Sequence, residues 1–111
     1  ELAVARRTAE VNSQVYAAMD RGYDLVAALD AALWDIYGRG DAKAYAQACQ
    51  DAARQAGWTV EDSVCTVEIP ATEKLSLRVQ ATLLPFTEEA ARLQLTGFAT
   101  VSQSEEMEAF F

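Results

Sequence analysis

A chain of 111 residues and 12.1 kDa is long enough to bury one core without a structural metal, and its 51% hydrophobic content excludes a disordered chain. Seventeen acidic residues against nine basic ones leave a formal net charge of −8, which repels phosphate backbones and anionic headgroups and argues against binding nucleic acid or a membrane surface. There is no histidine, so the commonest general base, every Ser-His or Cys-His nucleophile pair and most zinc sites are missing.

Glu1 to Met19 is rich in helix formers, with Leu2, Ala5, Ala9, Val11, Val15 and Ala18 on a loose apolar stripe. Arg21-Gly22 reads as the first interruption, since glycine inside a helix costs about 1 kcal/mol relative to alanine. A second helix is expected from an N-cap at Asp24 to Tyr37, with Leu25, Leu29, Ala32, Leu33 and Ile36 on one face and Gly38 just past its end. Asp41 then caps a third, small-residue helix ending at Gly57, whose stripe is Tyr45, Ala48, Cys49, Ala52 and Ala56.

From Trp58 the pattern changes to strands. Ser63–Ile69 puts Cys65, Val67 and Ile69 on one face, and Pro70–Glu73 turns the chain. Lys74–Leu84 is the clearest element: Leu75, Leu77, Val79, Ala81 and Leu83 alternate with Ser76, Arg78, Gln80 and Thr82, the period of a half-buried strand. Thr87 followed by two glutamates reads as a capped helical turn. The last strand, 93–102, is expected to turn Leu93, Leu95, Gly97, Ala99 and Val101 inward and Phe98 outward, before Ser104 caps a short acidic end. The expected fold is one α+β domain over 1–111. Helices in 1–57 pack on one face of a three-stranded antiparallel meander in 58–111, which closes with a short C-terminal tail.

No catalytic, cofactor-binding or metal-ligating constellation is found. The five glycines are isolated, and acidic pairs such as Glu61/Asp62 and Glu88/Glu89 fall where solvated or capping roles explain them. Cys49 and Cys65 lie on inner faces of adjacent elements, so a disulfide between them is expected, against the alternative of two buried thiols acting as small hydrophobes. A disulfide would imply an extracytoplasmic location. Trp34, Tyr37, Phe98, Phe110 and Phe111 are the aromatic candidates for a protein-binding patch.

The order of these elements resembles the TadE/TadG-like proteins, minor pseudopilins of tight-adherence (Flp-type) pilus systems. The resemblance rests on the alanine-rich helix AYAQACQDAARQAG, the strand SVCTVEI, a central strand ending in LLP, and LTGFATVSQSEEME. It spans roughly residues 40 to 107 and, more loosely, the first helix. It implies a pilin-like fold and a non-enzymatic role as the extracytoplasmic, membrane-anchored domain of a pilus assembly component. Its partners would be other pilus or secretion-system proteins, with homo-oligomerisation open and with no nucleic acid or small-molecule substrate. The membrane contact would be made through a segment preceding Glu1, which is not Met. Leu2 and Val4 would then belong to the last turn of a membrane helix, with Arg6-Arg7 just beyond it. The alternative is a small soluble interaction or dimerisation domain unconnected with pili.

Overall fold

The apolar face of a strand must be covered, and here one long helix covers it. The computed structural model describes residues 2–88 and 91–102, with side chains described from residue 9 onward. Helix α1 (Leu2–Gly38) is followed by α2 (Ala42–Gln55) and strands β1 (Thr59–Glu61), β2 (Val64–Pro70), β3 (Leu75–Leu83) and β4 (Leu93–Ser102). The strands form one antiparallel sheet in the order β1-β2-β3-β4. The fold is thus α+β, two helices and a four-stranded sheet, with one strand more and one helix fewer than the sequence pattern suggests.

The helix count differs because Gly22 does not interrupt α1. A Cβ placed on Gly22 would lie 3.0 Å from Leu77 Cδ2 and 3.0 Å from Phe98 Cε2. Glycine here lets α1 approach β3 and β4 closely, and that packing offsets the propensity cost. Asp24 is an exposed mid-helical residue rather than a cap. Nor is Gly38 past the helix end: it is the last residue of α1, and the left-handed turn falls on Gly40 at φ +76°.

Asp41 does cap α2, its carboxylate accepting from the Ala44 N–H at 3.2 Å. The far end of α2 closes as a Schellman motif: the Gly57 N–H donates to the Arg54 carbonyl, the Trp58 N–H to the Ala53 carbonyl, and Gly57 takes φ +98°.

The additional strand, β1, arises from a two-residue hairpin at Asp62-Ser63, where Asp62 adopts φ 55°, a conformation aspartate tolerates better than most residues. The Gln50 side chain holds this turn against α2 by donating to the Asp62 carbonyl at 2.8 Å.

The expected alternation of β3 holds from Leu77 onward, with Leu77, Val79, Ala81 and Leu83 buried; at its start Leu75 is half-buried and Ser76, on the other face, is buried. The alternation of β4 does not. Ala81 pairs with Leu95 but Gln80 pairs with Gly97, so Thr96 is an extra residue, a bulge. Beyond it the faces swap, because a one-residue slip reverses every side chain. Phe98 pairs with Val79 on the helix-covered face, while Gly97, Ala99 and Val101 pair with Gln80, Arg78 and Ser76 on the other. The Thr96 hydroxyl secures the bulge by donating to the Gln80 carbonyl at 3.2 Å.

The core lies between the helices and the sheet. α1 contributes Ala18, Leu29, Leu33 and Ile36, α2 contributes Tyr45, Cys49 and Ala53, and the sheet contributes Cys65, Ile69 and the β3 row. No described side chain before Ala18 is buried. A helix of 37 residues is about 55 Å long, which accounts for the 59 Å long dimension of a body otherwise 32 by 21 Å.

The close approach at Gly22 sets the first test. Gly22→Val is expected to destabilise the chain by about 2 kcal/mol, in the range for overpacking a filled site. Gly38→Ala, with nothing within 4 Å of the new methyl, should stabilise it by up to about 1 kcal/mol. Urea unfolding midpoints check both. Equal tolerance of the two substitutions would mean that α1 does not rest on Leu77 and Phe98.

Candidate functional site: the aromatic cluster around Arg92 and the surface beside it

Trp34 and Tyr37 are three residues apart on the last turns of α1, and Tyr45 is in the first turn of α2. The short Arg39–Asp41 connection folds these turns together. Phe86 leaves β3 just after Pro85, and Arg92 stands immediately before β4. The result is an aromatic cluster in which Tyr37 and Phe86 lie 4.8 Å apart, Tyr45 and Phe86 5.2 Å, and Tyr37 and Tyr45 6.1 Å.

Arg92 enters this cluster and is 0% exposed. Its guanidinium carbon sits 4.2 Å from the Tyr37 ring centroid, 5.2 Å from Trp34 and 5.9 Å from Tyr45. Nη2 donates to the Thr87 carbonyl at 2.8 Å, and Nη1 to the Pro85 carbonyl and the Tyr45 hydroxyl, each at 3.3 Å. The Leu84 N–H closes the loop by donating to the Arg92 carbonyl at 3.1 Å. A planar cation stacked on a tyrosine and bonded to two loop carbonyls is an anchor for the β3–β4 connection. Residues 86–88 bend so that the Thr87 carbonyl meets Arg92, and the rest of the helical turn expected after Thr87 lies outside the described residues.

The Cys49–Cys65 disulfide expected from the sequence is not formed. Both are free, buried thiols, 1% and 0% exposed. They do share the buried core between α2 and the sheet. Burial pushes both thiols above their ordinary value, and the Tyr45 hydroxyl only partly offsets this at Cys49. Burial likewise raises Tyr45, against the lowering effect of its bond from Arg92. Protonated buried thiols are poor nucleophiles.

The aromatic candidates divide. Trp34 is 40% exposed. Tyr37 is half-buried under Arg92, and Phe98 is half-buried on the inner face, stacked on Tyr23 at 4.6 Å. Phe110 and Phe111, like the expected cap at Ser104, lie outside the described residues, as do the side chains of Leu2 and Val4. Sequence reading missed Tyr16, Tyr23 and Leu95, which are 64%, 53% and 41% exposed. Tyr16 and Tyr23 are seven residues apart on α1, a spacing that would have revealed them. Arg92 carried no signal beyond its place in a polar loop.

Beside the cluster, α2 and the β3–β4 loop border a cleft of about 350 Å³ lined by Tyr45, Ala46, Gln50, Leu83, Pro85 and Phe86. It is apolar and no charged side chain borders it. Among the described residues no group of three or more Cys, Asp or Glu is placed to hold a metal, and no helix is long and apolar enough to cross a membrane. No protein-family model, curated protein or solved structure matches the chain.

Two tests follow from this region. Arg92→Ala leaves a cavity and loop carbonyls without their donor, and should cost about 3 kcal/mol or more. Arg92→Lys should recover only a minor part, because one ammonium cannot both stack on Tyr37 and fork to two carbonyls. Thermal melts measure both, and full recovery by lysine would reduce Arg92 to a point charge.

The second test concerns pH. Cys49, Cys65 and Tyr45 all hold their protons more tightly when folded, so the native chain binds more protons than the unfolded one above the ordinary thiol value of 9.0. Their contribution is complete at neutral pH and is lost as pH rises above about 9. Urea midpoints should fall from pH 7 to pH 10, and less so in the Cys49→Ala/Cys65→Ala variant. Ellman's reagent should find two thiols in the unfolded chain and almost none in the native one. A thiol count of zero after unfolding without reductant would restore the disulfide.

Proposed function

We propose that this chain is the extracytoplasmic body of a TadE-like minor pilin, a non-enzymatic component of pilus assembly. One observation carries the reading: α1 runs unbroken for 37 residues, yet among its described side chains the buried ones start only at Ala18. The second half of the helix belongs to the body's core. The first half is a stalk whose described side chains stay exposed or half-buried. A pilin-like subunit uses a helix in this way, with one half closing its own sheet and the other extending from the body. The one-sided sheet in simple sequential order is compatible with the same architecture.

The test uses the whole gene product in its own host. Gene deletion should abolish surface fibres, and antibody to this chain should detect the protein in membrane and sheared-fibre fractions. Ser13→Pro separates the two halves of α1. Because no described side chain before Ala18 is buried, the body should stay folded, with its near-ultraviolet circular dichroism intact, while fibre assembly is lost. Recovery of the protein in the cytosol, or normal fibres from the Ser13→Pro strain, would overturn the reading in favour of a soluble interaction domain.

A further inference from the structure

We draw no further inference here: the strongest candidate, the apolar cleft of about 350 Å³ between α2 and the β3–β4 loop, is bordered by no charged side chain that would select an occupant, and nothing in the structure shows what covers it.

Discussion

The structure depends on the contact of α1 with β3. The β3 row of Leu77, Val79 and Ala81 is almost completely inaccessible to water, and so are Leu29 and Leu33 on the helix. An isolated antiparallel sheet with one apolar face is not stable in water, and each large aliphatic buried there contributes roughly 1.5–3 kcal/mol before chain entropy is counted against it. The helix must come close enough to exclude solvent along the whole strand. Gly22 permits this, because a Cβ there would press on the Leu77 and Phe98 side chains at 3.0 Å. Everything else is arranged around that seam: α2 extends the cover over β1 and β2, and Arg92 fixes the connection through which the chain returns to make β4.

Features governed by local periodicity or capping were legible in the sequence. The alternation of β3, the cap at Asp41 and the close of α2 at Gly57 each follow from the residue at that position. Three of the misreadings share a cause, which is that the deciding partner is distant in sequence. Gly22 looks like a helix breaker until Leu77 and Phe98 are known to lie against it. Thr96 looks like one more alternating residue until its pairing with β3 shows the bulge, and that single insertion transfers Phe98 from the solvent side to the covered side. Arg92 resembles any loop arginine, yet its partners Tyr37 and Tyr45 come from the opposite half of the chain.

The aromatic cluster also shows why the exposed aromatic surface was only half visible. Of the aromatics singled out by composition, Tyr37 is committed to stacking on Arg92 and Phe98 to stacking on Tyr23. Trp34 remains accessible, on the rim of the same cluster. Three accessible residues carried no such signal: Tyr16 is off the apolar stripe of the first helix, Tyr23 follows the glycine that reads as a break, and Leu95 alternates with the inward residues of β4. A helix of this length has several faces. The face opposite the solvent is defined by the sheet, but the face beside β4 is defined by the register of β4, which the bulge reset.

The two edges of the sheet are protected unequally. The β1 edge is three residues long and carries Glu61, a short charged edge of the kind that resists pairing. The β4 edge is ten residues long, and its protection is the bulge at Thr96, which leaves a regular stretch after it. Copies of this chain each carry a net charge of −8 and repel one another, so two such edges are held apart by the field of the whole molecule rather than by the geometry of the edge itself.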